Sequence, residues 1–299
     1  MSELYDTYAK HIIDTEFYAQ GKEADIEERL KALKRRLRGI ITEKEQILSQ
    51  VQYIETIDEC DEEIEDEIED FYKEAQEEQK KQVQLENSWL KDFMQKFFNV
   101  AITALAVKTI WDILFKKFNN TDNFEIFKNK LKDDIKSSVR SSMGSSLMLG
   151  TSTTDAATTV ENKMNRLLIE AKSNIHTSVT SIQRNTQNLS LSNSGVTLKF
   201  ISMLDEKTCL HCGSLSGNLY VAGSEPQLPL HNRCRCYLLP VNEDEETLDY
   251  RTWLSQQSDS TVYKILGKSR YLLYKSGTPI TKFTSDGHKL TLKELYDKK

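Results

Sequence analysis

Apolar side chains recur at helical intervals through the first part of the chain. Ile26, Leu30, Leu33, Leu37, Ile40, Ile47, Val51 and Ile54 alternate spacings of three and four, with Lys44 in one apolar slot. About four heptads of this kind predict a coiled-coil or helical-hairpin seam. Past Ile54 the phase slips, and Ile57, Ile64, Ile68 and Phe71 continue the stripe on a shifted register. A second block, from Trp89 through Phe93, Phe97 and Phe98 to Trp111 and Leu114, carries a broad apolar face suited to core packing. Asn119–Asn123 breaks it. Phe124–Val139 and Val160–Asn188 predict two further helices, and Val196–Phe200 alternates as a strand does.

Helix breakers divide the chain. All four prolines (Pro226, Pro229, Pro240, Pro279) follow residue 225, and before residue 144 the glycines are Gly21 and Gly39. A stretch without breakers that is rich in Glu, Lys, Leu and Gln is free to be helical. Residues 141–159 are dominated by small hydroxyl side chains and glycine, which predicts a linker. The expected fold class is therefore α+β. A long, mainly helical N-terminal arm covers 1–140, the linker 141–159, and a small mixed α/β C-terminal domain 160–299. No long internal repeat is visible.

Charge refines the arm. Residues 29–38 carry six basic side chains, whereas residues 55–80 carry fourteen acidic ones and two lysines. Such segregation suits solvated helix faces, or an acidic helix folded back on the basic one or docked on a basic partner. The net charge of −6 supplies no global field for nucleic acid. The opening residues Met1–Tyr5 lack a basic region and an apolar core, so no secretory leader is expected. Phe97–Val107 is apolar but short of the roughly 20 residues a span needs. A buried helix is expected there, and membrane is not an expected partner.

The chemistry is concentrated late. Cys209, Cys212, Cys234 and Cys236 lie within 28 residues, while Cys60 stands alone. Cys209-x2-Cys212 and His231-x2-Cys234 are two ligand pairs separated by 18 residues. A two-residue gap lets one tight turn aim both side chains at an ion, and a loop of about 15–20 residues returns the second pair. The segment 205–240 is thus expected to be a knuckle closed by one structural Zn2+. Its expected ligands are Cys209, Cys212, His231 and Cys234, with Cys236 as substitute; Cys209, Cys212, Cys234 and Cys236 form the alternative set. A reduced thiol cluster and disulfides are the competing readings. His211, inside the first pair, is expected to point away. The deaminase and His-Glu-x-x-His patterns of catalytic zinc are absent, as are phosphate loops and nucleophile elbows. No catalytic residue and no small-molecule substrate is expected. Asp286–Gly287 is a hairpin signal.

The wording around the cysteines adds a family. Asp205-x-x-Thr208-Cys209-x-x-Cys212, Gly217, Pro229-x-His231-x-x-Cys234-Arg235-Cys236 and Pro240 together resemble the head-morphogenesis proteins of tailed bacteriophages, the Mu F-like minor head group. Trp253, Leu266-Gly267-Lys268-x-Arg270 and Thr291–Leu295 resemble that family's final segment, so the likeness covers about residues 160–299. The family often carries an Arg-Thr-Glu helix before the knuckle; here residues 181–188 offer Arg184 and Thr186 without the glutamate. The resemblance implies a non-enzymatic minor capsid protein, made in the host cytoplasm and placed in the virion at the head interior or portal vertex. Implied partners are the portal, major capsid or scaffold proteins, with indirect contact to packaged DNA. Its implied role is in head assembly and DNA packaging or ejection. The alternatives are a zinc-dependent nucleic-acid binder or nuclease, and a prophage-derived toxin module. Against the former, the knuckle's own cations are few: Lys207, Arg233 and Arg235.

Overall fold

The computed structural model describes residues 3–47, 49–103, 106, 108–109, 124–241, 249–285 and 288–297. Four long helices come first: α1 (Glu3–Thr42), α2 (Gln50–Phe98), α3 (Phe124–Leu149) and α4 (Thr153–Leu191). The chain forms two compact units. One comprises residues 9–84 and 107–182, the other residues 1–8, 85–106 and 183–299. Helices α1, α2 and α4 contribute to both, so the division does not follow the 1–140 and 160–299 boundaries expected from composition.

The first unit is a four-helix bundle. Leu30, Leu33, Leu37, Ile64, Ile68, Leu131, Ile135, Val139, Val160 and Met164 form part of one buried core drawn from all four helices. Ion pairs fix the directions. Arg36 reaches Glu63 and Glu67, and Lys22 reaches Glu78, so α1 and α2 run antiparallel. Lys128 pairs with Glu69, and Lys132 and Lys136 with Glu65, so α2 and α3 are antiparallel too. Glu27 with Lys172 and Arg38 with Glu161 give the same relation for α1 and α4. The acidic stretch of α2 is therefore flanked by basic faces on two neighbours, as the segregated charges allow. His176 lies between Glu16 and Glu23 within the bundle, at 3.1 and 2.8 Å.

The heptad stripe does not run unbroken. Helix α1 stops at Thr42, just before the polar slot at Lys44, and residues 43–46 form bends beyond it. Beyond the turn Val51 is 63% and Ile54 47% exposed, while the shifted stripe of Ile57, Ile64 and Ile68 enters the core. The turn is held by the start of α4: Thr153 Oγ1 donates to Lys44 O at 2.5 Å, and its N–H reaches Glu45 O at 3.2 Å.

Two expectations are corrected. Residues 141–159 are not a linker: 141–149 finish α3, 153–159 begin α4, and three residues connect them. Their hydroxyls bond back along the helices, as in Thr158 Oγ1 to Thr154 O (2.8 Å) and Thr159 Oγ1 to Asp155 O (3.0 Å). Gly150, at φ +65°, ends α3, and Ser152 with Asp155 forms a reciprocal cap on α4. Nor is Phe97–Val107 a buried helix. Helix α2 ends at Phe98, Asn99 adopts φ +52°, and 100–103 are non-helical. No helix among the described residues is long and apolar enough to cross a membrane. The apolar positions Ile110, Trp111 and Leu114, the Asn119–Asn123 break and Asp286–Gly287 lie outside the described residues.

The second unit holds the strands. β1 (Thr197–Ile201) pairs antiparallel with β2 (Leu219–Val221) and β3 (Tyr237–Val241), in the order β2-β1-β3. Pro240 sits on β3, an edge strand, where a missing N–H is tolerated. Between β1 and β2 lies the short helix α5 (Leu210–Leu215). After β3 come α6 (Tyr250–Ser255), α7 (Asp259–Leu266), α8 (Lys268–Lys275), a 3-10 turn, a hairpin of β4 (Thr284–Ser285) with β5 (His288–Lys289), and α9 (Leu292–Asp297). Leu210 joins Tyr250, Leu254, Leu266, Phe283 and Leu295 in a second core. At the other face, the Tyr8 hydroxyl lies 2.6 Å from both Gln187 Oε1 and Leu238 O, with its ring against Trp89, Phe93 and Tyr237.

Truncating the fully buried Leu33 to Ala should cost about 2–5 kcal/mol by the cavity it leaves, read as a fall in the urea midpoint of unfolding. The charge ladder sets an acid limit. Lys132 and Lys136 hold the Glu65 carboxyl down at about 2, against about 4.3 for an unfolded glutamate. Its stabilising contribution is therefore complete above about pH 5 and is lost as pH falls toward 2. Because Glu65 is partly exposed, the effect shrinks in salt. Melting followed by circular dichroism should show the thermal midpoint dropping over that window, less steeply in about 1 M salt.

Candidate metal centre

The register of β1 on β3 assembles the knuckle. Ile201 lies opposite Tyr237, so the residues leaving β1 run beside those entering β3. That adjacency brings Asp205 to Arg235, which grips it with two nitrogens at 2.5 and 2.7 Å. Asp205 Oδ1 also accepts the Lys207 N–H (2.9 Å) and the Thr208 hydroxyl (3.2 Å). Arg235 holds the Asp205 carboxyl below its ordinary range. The clamp locks the turn that precedes Cys209, and Arg235 is thereby committed to an internal carboxylate.

Cys209 begins α5 in extended geometry, and its sulfur accepts the Cys212 N–H at 3.4 Å. One helical turn therefore delivers both sulfurs to one side. Gly213 follows because a Cβ there would stand 2.5 Å from the Tyr250 ring. Gly217, at φ +84°, turns the chain into β2 in a conformation that L side chains rarely adopt. The loop from β2 to β3 returns His231 and Cys234; Asn185 of α4 donates to Leu228 O at 2.8 Å and anchors it.

Five soft donors meet here. His231 Nε2 is 3.3 Å from Cys209 Sγ and 3.2 Å from Cys212 Sγ, and Cys212 Sγ is 4.0 Å from Cys234 Sγ. Two three-donor groups result, Cys209–Cys212–His231 and Cys212–Cys234–Cys236, each with its ligand atoms within 4.8 Å and with Cys212 common to both. An ion bound tetrahedrally at about 2.3 Å from sulfur and 2.0–2.1 Å from nitrogen places its ligand atoms about 3.5–3.8 Å apart. The observed separations bracket those values, so the cluster can hold a metal ion. His231 Nδ1 faces Asn232 O at 2.8 Å. A proton on Nδ1 donated to that carbonyl leaves Nε2 as the lone-pair ligand facing the sulfurs.

The electrostatics agree with a cation-seeking site. Cys209 falls to about 4, through the hydrogen bond from Cys212 and the imidazole of His231. Cys234 is also lowered, by Cys212 and Cys236. Cys212 is raised by its thiolate neighbours Cys209 and Cys234. For Cys236 the lowering effect of Cys212 is outweighed by Cys234 and burial, and its thiol is raised. His231 rises to about 9 because the Cys209 thiolate favours imidazolium. Burial and mutual repulsion oppose four simultaneous thiolates, a conflict that a bound dication would relieve.

All five residues expected from the spacing are brought together. His211 belongs to neither donor group, and burial lowers its basicity. Cys60 is remote in sequence and buried in the helical bundle; burial and then the neighbouring carboxylates push its thiol up to about 12. Three supporting residues were not legible from spacing. The Asp205–Arg235 clamp needs the β1–β3 register. Arg184 of α4, 2% exposed, donates from Nη1 to Cys234 O at 2.6 Å; its signal in composition is a cation on an otherwise uncharged stretch, 173–198. Compared with models of protein families, with curated proteins and with solved structures, the chain matches none.

Replacing Cys212 by Ser removes the donor common to both groups and should abolish stoichiometric metal uptake, with a stability loss of several kcal/mol. Cys236→Ser should keep one equivalent if Cys209, Cys212, His231 and Cys234 are the ligands. Metal analysis of the purified variants decides: loss in Cys236→Ser with retention in His231→Ala would assign the four-cysteine set instead.

Proposed function

We propose that the chain is a structural minor head protein of a tailed bacteriophage whose C-terminal region is pinned by one Zn2+. The observation that supports this most is convergence. Asp205, Thr208, Cys209, Cys212, Gly217, His231, Cys234 and Arg235, which carry the resemblance to the head-morphogenesis family, each have a structural task in one knuckle. The later pieces of the likeness behave the same way. Gly267 joins α7 to α8 at φ +71°, Arg270 donates to Leu290 O at 2.6 Å, and Thr291 with Glu294 caps α9.

Zinc is the ion of choice for a set of thiolates with an imidazole, and it needs no redox partner. With Cys209, Cys212, His231 and Cys234 as ligands all four tetrahedral positions come from the protein, leaving none for a reacting water. The nearby carboxylate of Asp205 is engaged by Arg235, Lys207 and Thr208 rather than poised as a base. The ion's role is then to hold a small sheet and its loops together. The partners proposed for the protein are the portal, capsid or scaffold proteins, in the phage head interior or at the portal vertex.

Elemental analysis and native mass spectrometry should find one zinc per chain, and DNA titrations between about 50 and 200 mM salt should show no salt-dependent binding. Co-expression with the portal protein of the same phage should yield a complex. Hydrolysis of nucleic acid that disappears on chelation while the fold persists would overturn the structural reading in favour of a nuclease.

A further inference from the structure

Over one stretch of the four-helix bundle, α1 and α2 carry charge where tight packing needs apolar bulk. On α1, Tyr18, Lys22, Asp25, Arg29 and Ala32 recur at spacings of four and three; on α2, Glu67, Phe71, Glu74 and Glu78 do the same. Each set therefore lies along one helix face. Together with Ile175 and Val179 of α4 they line a cavity of about 480 Å³. Small-molecule sites occupy roughly 300–1,000 Å³. The hollow follows from the side chains around it. Ala32 and Ala75 are too short to fill the space, and Asp25, Glu74 and Glu78 keep 41–62% of their side chains in solvent.

Its lining is amphipathic. Phe71, Ala75, Ile175 and Val179 supply buried apolar surface. Five carboxylates (Asp25, Glu28, Glu67, Glu74 and Glu78) meet two cations, Lys22 and Arg29, so three negative charges remain in excess. Lys22 pairs with Asp25 and Glu78 at 2.8 and 2.7 Å, and Arg29 pairs with Glu74 and, at 3.3 Å, with Glu67. Glu28 has no cationic partner among the described residues. Gln79, 4% exposed, also lines the cavity. Its Nε2 donates to Ser178 Oγ at 3.0 Å, and its Oε1 accepts from no donor among the described residues. The two rings of the lining already attract cations: Lys22 stands 5.6 Å from the Tyr18 ring centre and Arg29 5.6 Å from that of Phe71. A ligand suited to these walls needs an apolar body, positive charge and an N–H donor. A diol lacks the charge, and a hard metal ion has no apolar body and needs a compact cage of oxygens. We propose that this cavity binds an aliphatic polyamine, with methylenes against Phe71, Ala75, Ile175 and Val179 and ammonium groups toward Glu28, Glu74 and Gln79. The site lies wholly within the bundle and is independent of any metal at 209–236.

The test is calorimetric titration of the full-length protein with spermidine at about 150 mM salt, where diffuse surface attraction is largely screened. One spermidine should bind per chain, an aliphatic diol of similar length should not bind, and magnesium at matched ionic strength should not displace the amine. A32L places bulk in the cavity and should lose spermidine binding while its circular dichroism stays helical. E28Q, at an exposed position, should weaken binding by up to about fivefold, the worth of one partly exposed ion pair. A wild type that binds no spermidine overturns the proposal, as does ready displacement by magnesium. A folded A32L that binds as tightly as the wild type overturns it too. If A32L does not fold, E28Q decides: weakened binding supports the site and unchanged affinity overturns it. Tighter binding of N-acetyl-arginine amide than of spermidine overturns the polyamine assignment in favour of a partner's basic side chain.

Discussion

Four thiols and an imidazole gathered within bonding reach of one another cannot all carry the protonation states that suit them singly. In the cluster at 209–236 the sulfurs are coupled: a thiolate at one lowers or raises its neighbours, and burial opposes the charging of all four together. A dication bound there would remove that conflict, because it would be attracted to every donor at once. The neighbouring parts of this unit follow from holding the donors together. β1 lies on β3 so that residues 205 and 235 meet, α5 turns the Cys209–Cys212 pair to one side, and Gly213 clears space for Tyr250.

The bundle handles charge in a different way. Its acidic helix would repel itself if left in solvent, and the neighbours supply lysines and arginines along both flanks. These pairs are partly exposed, so each contributes little individually. Their larger effect is directional: a wrong pairing of helices would bring like charges face to face. Direction and register are thus set by charge, and cohesion by the shared apolar core. In the cysteine cluster the balance is reversed, since burial makes each charge consequential.

Reading ahead from residues worked where one local rule governed the outcome. The helical character of the N-terminal part, the strand at 197–201 and the five donors of the knuckle all follow from periodicity or short spacing. It went astray where two rules competed. Segment 141–159 has a linker's composition, yet Ser142, Ser146, Ala156 and Ala157 are buried, and small side chains there let helices approach closely. The heptad from Ile26 to Ile54 was continuous on paper, but the polar slot at Lys44 falls where α1 has just ended, and the carbonyls beyond it are taken up by Thr153.

Sequence by itself determined which side chains can bind a metal and which stretches are helical, because both depend on neighbours a few positions apart. Tertiary structure alone decided that Asp205 closes on Arg235, that Arg184 stands behind Cys234, and that the acidic helix lies between two basic ones. Those pairings join residues 30, 50 and up to 79 positions apart. Sequence spacing carries no distance information at that range; strand register and helix packing supply it. The Cys/His cluster therefore reads as a spacing of cysteines in the chain and as a balance of charge in the fold.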